Sequence, residues 1–229
     1  MAHPATTPAL PPQPSRWHGV LIAGLGACLL VGCLTAGFTT YDDPVHVSWN
    51  PQVQEATPIA DVVKPIAHST YFPVTLLSYK LDRLLFEGWL VRLWGSYAPG
   101  VRFMTLLYHA GAALILWRIL LRLRLSSCQA LFIACVFAAH PLACETVCWV
   151  SERKNALAAL FGFAALWAWL RFEGTLWRLP AIAVLYGLAL LSKPSALGIL
   201  PVLLFLELFG GATGLAGERP MSWRPGKQW

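Results

Sequence analysis

"HPLACETVCWVSERKN", residues 140–155, sets four formal charges, a histidine and a proline between two strongly apolar runs. Leu125 to Ala139 comes before it and Ala156 to Leu170 after it, neither with a charged residue. Such an interruption reads as a turn between membrane segments, and composition agrees. The 229 residues are 57% hydrophobic and only 12% charged, with a mean hydropathy of +0.57. A soluble domain carries about 25% charged residues, so this chain has too few polar side chains to cover a water-facing surface. Its natural solvent is a bilayer, and the fold class expected is an all-α integral membrane protein.

The other apolar runs extend this reading. Trp17 to Phe38 has no charge, and about 20 residues suffice to span the hydrocarbon. Phe103 to Trp117 lies between Arg102 and Arg118, whose long stems can reach outward to the interface. Leu179 to Leu191 and Ser195 to Phe209 flank Ser192, Lys193 and Pro194; they form either a hairpin or one long helix with Lys193 at its centre. Between the first two runs, residues 39–100 form a long polar loop. Within it Val74, Leu77, Leu81, Leu84 and Leu85 fall at helical spacing among Lys80, Asp82, Arg83 and Glu87, the pattern of an amphipathic helix lying at the membrane surface.

Charge orients the segments. With six crossings and both termini cytoplasmic, the inner segments carry nine basic residues against two acidic, and the outer segments eight of each. Cytoplasmic loops favour Lys and Arg, which supports this topology and, in a bacterium, the cell inner membrane. The net charge of +6 thus points to anionic lipid headgroups rather than nucleic acid. The domain plan is a disordered cytoplasmic tail at 1–16, a membrane domain at 17–210 and a polar cytoplasmic tail at 211–229.

Six cysteines include no C-x-x-C pair and suggest no disulfide framework; free, apolar-packed thiols are expected. His140, Cys144 and Cys148 recur every four residues, the spacing of ligands on one helix face, as the sharper alternative. "LLVGC" at 29–33 resembles a lipoprotein box, but the long segment before it and the apolar residues after Cys33 favour an uncleaved helix.

In this topology Asp42 and Asp43 open the first outer loop, His140, Glu145, Arg153 and Lys154 occupy the second outer turn, and Lys193 the third. Charges at such depth are expensive unless paired or functional. The plainer alternative is a turn at "YDDP", a helix start at Pro141, and Arg153 and Lys154 as anchors for the next helix. Three clusters on one face favour function: carboxylates opposite several cations at a lipid–water boundary suit a reaction on a phosphate-linked lipid. If Pro141 starts a helix, Glu145, Trp149 and Arg153 share a stripe, and Arg153 turns a fork suited to phosphate oxygens toward the first loop.

"YDDP…WNPQVQ" (41–54), "YFPVTLLSYKLD" (71–82), "HPLACETVCWVSERKNALAALF" (140–161) and "LLSKPSALGILP" (190–201) resemble the amino-terminal half of GT-C membrane glycosyltransferases. More narrowly, they are similar to the transmembrane and tetratricopeptide-repeat O-mannosyltransferases and their bacterial relatives. The resemblance implies a partial GT-C fold of about six membrane helices with a long first outer loop, and a catalytic acidic pair at Asp42 and Asp43. It implies a polyprenyl-phosphate-linked sugar as donor and a protein or glycan hydroxyl as acceptor. Arg153, Lys154 and Lys193 would bind the donor phosphate, with His140 and Glu145 positioning them. A divalent metal on the acidic pair is allowed, although no closed ligand set is present. The pattern departs from the family at Phe72, Arg102, Thr105 and Pro194. The family also has about twice as many membrane helices and often a repeat array, so a truncated protein or fragment is expected. The rival expectation is a non-catalytic membrane protein, a truncated one or a lipid-binding scaffold.

Overall fold

A computed structural model describes residues 15–65 and 71–209, so the tails expected at 1–16 and 211–229 lie almost wholly outside it. Among the described residues the chain is all-helical: α1 Arg16–Leu30, α2 Ile59–Val62, α3 Pro73–Trp94, α4 Ala98–Arg122, α5 Ser127–Ala139, α6 Ala143–Cys148, α7 Arg153–Arg171, α8 Arg178–Ser192 and α9 Ile199–Phe209. Helix ends follow local chemistry. Ser15 caps α1, and a reciprocal Ser126–Gln129 capping box starts α5. Gly95 ends α3 in the left-handed conformation at φ 72°.

Two breaks shape the candidate site, and both precede proline. A residue before proline is pushed out of the helical region; His140 sits at φ −62°, ψ 138° and Lys193 at φ −155°, ψ 124°. The second break resolves the open choice at residues 179–206. Arg178, at the start of α8, pairs with Glu207, near the end of α9, at 2.7 Å, so the two helices run antiparallel as a hairpin.

Packing centres on α4 and α7, which lie against each other. α1 and α5 cover one side of α4, and α8 covers α7. The interior is built from small side chains: Ala112, Ala113, Ala130, Ala134, Ala138, Ala156, Ala165, Ala168 and Ala189 are all buried. Large apolar ones, among them Val20, Leu21, Phe103, Leu107, Phe132, Val184, Leu200 and Leu204, face outward. Helices that associate in lipid put small residues at their contacts, because burying Leu among lipid-like surroundings gains little.

α4 is the one described helix long and apolar enough to cross a membrane by itself. Trp17–Cys28, Ser127–Ala139, Arg178–Ser192 and Pro194–Leu208 are shorter apolar helices, so helix length alone does not establish six crossings.

The polar loop helix forms, as α3, with polar side chains turned inward beside Leu76 and Leu90. Thr75, Ser78, Tyr79, Lys80 and Asp82 are buried, while Leu81, Leu84, Leu85, Leu93 and Trp94 are exposed.

One expectation is overturned outright. Cys33 and Cys148 form a disulfide across 115 residues, their Cα atoms 5.1 Å apart, where free thiols were expected. Spacing could not reveal it, because Cys33, in the 3-10 turn Val31–Thr35 after α1, and Cys148, at the end of α6, meet only once the helices have packed. Cys28, Cys128, Cys135 and Cys144 remain free. The three-ligand helix face is not formed either: His140 precedes α6 and Cys148 is bonded to Cys33.

Candidate functional site

The loop that follows α1 is clasped to the turn between α6 and α7 by buried polar contacts. Arg102, in the first turns of α4, is 1% exposed. It donates to the Cys148 carbonyl at 2.7 Å, to that of Gly37 at 2.6 Å, and to that of Ala36. Asp43 is fully buried and accepts three hydrogen bonds: from the Thr39 amide at 2.8 Å, the Ser151 amide at 3.0 Å and the Ser151 hydroxyl at 2.6 Å. Lys80 ties α3 to the same loop by donating to the carbonyls of Gln54 (2.7 Å) and Glu55 (3.2 Å).

The clasp separates the acidic pair into two roles. Asp43 has both carboxylate oxygens occupied, whereas Asp42 stays partly exposed. Oδ1 of Asp43 accepts two of these bonds and Oδ2 one, and no group of three or more His, Cys, Asp or Glu side chains gathers as a metal site among the described residues. Beyond Asp43, Pro44–Ser48 forms a π-helical turn that brings His46 within electrostatic reach of Asp42, Asp43, Glu152 and Lys154. Its ring packs edge-on against Phe72, centroids 5.3 Å apart. Burial, then the Lys154 charge, lower the His46 pKa against the opposing pull of Asp42, Glu152 and Asp43. The shift favours the neutral imidazole.

At the start of α7 the second and third turns meet. Lys154 Nζ lies 2.8 Å from Glu152 Oε1, and Lys193 Nζ lies 3.5 Å from Glu152 Oε2. Asn155 donates to Glu152 Oε2 at 2.7 Å and accepts from Lys193 Nζ at 2.5 Å. Burial alone would raise the Glu152 pKa; hydrogen bonding and charge from Lys154, with Lys193 and Asn155, outweigh it and hold the carboxyl below its usual range.

Arg153 goes elsewhere. The short helix after Pro141 ends at Cys148, and Trp149 adopts an extended conformation before a 3-10 turn at Val150–Glu152. The continuous Glu145–Trp149–Arg153 stripe therefore does not form. Arg153 is fully buried, donating to Thr105 Oγ1 at 2.8 Å, to Ser78 Oγ at 3.2 Å and to the Val101 carbonyl. It pairs with Asp82 of α3 and lies over the rings of Tyr79 (4.8 Å) and Tyr108 (5.5 Å). Asp82 has its other oxygen, Oδ1, buried without a hydrogen bond. Burial pushes its pKa up to about 6, against the downward pull of Arg153. The guanidinium thus joins α3, α4 and α7 inside the protein.

Of the remaining expected residues, Glu145 is exposed on α6 and makes no ion pair among the described residues. His140 is exposed and lines a mainly apolar cavity of about 430 Å³ with His109, Phe137, Ala143, Ala156 and Asn155. Asn155 links this cavity to the lysine cluster. The fold thus gathers Asp42, Lys154 and Lys193 around one region, encloses Asp43 and Arg153, and leaves Glu145 apart from the ion pairs.

Sequence reasoning did not select His46, Glu152 or Asn155. His46 carried one signal, its i+4 spacing from Asp42. The other two flank Arg153 and Lys154, whose charge chemistry drew the assignment.

The chain is similar to the protein O-mannosyl-transferase TMTC3 of Homo sapiens, 24% identical over 204 residues that cover 82% of this chain and 21% of that protein. The Mus musculus TMTC3 matches at the same identity and coverage. The protein O-mannosyl-transferase Tmtc2 of Drosophila melanogaster is 27% identical over 215 residues, covering 85% of this chain and 21% of the relative. The chain spans about a fifth of the length of the curated relatives it matches. At such identities the likeness supports a coarse relationship to membrane glycosyltransferases. No family model and no solved structure matches the chain.

Proposed function

We propose that this chain is a membrane glycosyltransferase, or the amino-terminal part of one, that takes a sugar from a polyprenyl-phosphate-linked donor to a hydroxyl on a protein or other acceptor at the outer membrane face. The observation that carries the reading is the gathering of a partly exposed Asp42 and the Lys154–Lys193 pair at one end of the bundle. Asp42 acts as general base. It takes the proton of the acceptor hydroxyl as that oxygen bonds to the anomeric carbon, and the bond from that carbon to the phosphate oxygen breaks. The polyprenyl phosphate leaves with the electron pair, its charge met by Lys154 and Lys193. Asp43 and Arg153 act from within, the first by fixing the loop that carries Asp42, the second by holding the first turn of α7. His46, beside Asp42, positions the acceptor. His140 stands at the apolar cavity that receives the donor's chain, with Glu145 toward the acceptor side.

Six crossings with both termini cytoplasmic remain our topology. α7 is about 28 Å long at 1.5 Å per residue, close to the hydrocarbon thickness of about 30 Å. Its first residues join the acidic and lysine cluster, and Trp169 near its other end binds Glu207 at 2.7 Å. The Cys33–Cys148 disulfide supports placing the cluster on the outer, oxidising side.

The test is sugar transfer by the protein reconstituted in liposomes with a polyprenyl-phosphate-linked donor. Asp42→Asn should lower the rate by at least about a hundredfold, the scale of a lost general base. Transfer untouched by that change would sink the assignment of Asp42. Donor binding with no transfer by the unaltered chain would favour the lipid-binding scaffold, a reading that the apolar cavity also suits.

A further inference from the structure

We infer that Glu152 is a built-in competitor for the donor's phosphate, an internal anion that occupies the two lysines and sets how tightly the donor is held. The inference rests on the donor reading above and adds a residue to it that the sequence pattern did not select. Two cations reach this carboxylate from elements 39 residues apart in the chain, Lys154 from the first turn of α7 and Lys193 from the α8–α9 hairpin, at 2.8 and 3.5 Å. Asn155 fixes the geometry from both sides, donating to Glu152 Oε2 at 2.7 Å and accepting from Lys193 Nζ at 2.5 Å. The side chains are 13% exposed for Glu152, 18% for Lys154 and 28% for Lys193, so the cluster is open enough for a ligand and dry enough for its charges to count.

A carboxylate and a phosphodiester each present adjacent oxygens that share one negative charge. Glu152 therefore sits as the donor phosphate would, between the same two ammonium groups. A site of two lysines alone would hold an anion through the whole catalytic cycle, including the polyprenyl phosphate left after transfer. With Glu152 in place, every anion that enters must share the lysines, and every anion that leaves is replaced at once. The lysines are never left unpaired at a lipid boundary, where a bare charge is costly.

The prediction has an unusual sign: removing a polar residue from the site should strengthen binding. Isothermal titration of the detergent-purified full chain with a short isoprenyl monophosphate reads it directly. Glu152→Gln and Glu152→Ala should each tighten binding by about fivefold, the scale of a partly exposed ion pair. Asn155→Asp, which adds a second internal anion beside Lys193, should weaken it by a similar factor. The matching isoprenyl alcohol should bind all variants alike, since it lacks the charge. Damage to the fold weakens binding and cannot produce the tightening. If Lys154→Gln and Lys193→Gln weaken binding but both Glu152 variants leave it equal or weaker, Glu152 merely holds the lysines in place; this inference fails and the donor site stands. If the lysine variants bind the monophosphate as well as the unaltered chain, the phosphate does not sit between them, and the inference and the donor site fail together.

Discussion

Arg153 illustrates how far a residue's surroundings can redirect its chemistry. In the sequence it is a cation in a polar turn, beside Lys154 and suited to phosphate. In the fold it is fully buried, with its donors on Thr105, Ser78 and Val101 and its charge against Asp82. The difference from Lys154 is one step along the first turn of α7, about 100° of rotation at 3.6 residues per turn. That step turns one cation inward and the other toward Glu152. Arg153→Lys keeps the charge and loses the planar fork that reaches several acceptors at once. It should lower stability by about 1–3 kcal/mol, the scale of lost charged hydrogen bonds. Isoprenyl monophosphate affinity should change less than twofold. Thermal unfolding in detergent and titration of the same samples check both halves; weakened binding with unaltered stability would return Arg153 to the donor site.

At the scale of the element, α3 carries the clearest lesson. Its leucines fall at helical spacing, and that pattern made it a surface helix, but spacing alone did not say which face meets protein. The helix docks through polar contacts beside the buried Leu76 and Leu90: Thr75 donates to the Ser192 carbonyl at 2.9 Å, Tyr79 to the Val150 carbonyl at 2.7 Å, and Asp82 meets Arg153. Its docking should respond to pH. Asp82 has a folded pKa of about 6, above the unfolded value of about 3.9. A raised carboxyl pKa means that the folded state holds the proton more tightly. The contribution of Asp82 is then full below about pH 4 and is lost as pH rises through about 6, by roughly 2–3 kcal/mol. Asp82→Asn should flatten that part of the stability profile measured from pH 4 to 7. An unaltered slope in the variant would show that the carboxyl takes up no extra proton on folding.

For the whole molecule, the end of the bundle that carries Asp42, Asp43 and the first turn of α7 is held together by contacts between distant parts of the chain. The disulfide joins the 3-10 turn after α1 to the end of α6, Arg102 bonds to carbonyls on both sides of that link, and Asp43 reaches Ser151. These three long-range links should act in parallel, so losing one weakens this end without unfolding the bundle. Cys33→Ser should lower the unfolding midpoint, with a loss of about 2–4 kcal/mol as is typical of disulfides. Treating the unaltered protein with a dithiol reductant should bring it to the same midpoint. A Cys33→Ser variant that unfolds where the oxidised protein does, with no mobility difference on a non-reducing gel, would rule the link out.

The helices were legible along the chain because their causes are local. Apolar runs set their bodies, Pro141 and Pro194 broke them, and Ser126 and Gly95 marked ends, all through interactions a few residues long. The charged residues that gather at one end could be nominated for the same reason, since charge is expensive in any apolar run wherever that run packs. What the sequence could not settle was which of two adjacent residues does which job. Asp42 and Asp43 are chemically identical, and the two leading cations of α7 carry the same charge; the contact with Ser151, 108 residues on, helps to enclose Asp43 and leaves Asp42 partly exposed. The Cys33–Cys148 link and the pairing of Glu152 with Lys193 have the same origin. Their partners lie far apart in the chain, and no local rule connects residues that meet only after the helices have packed.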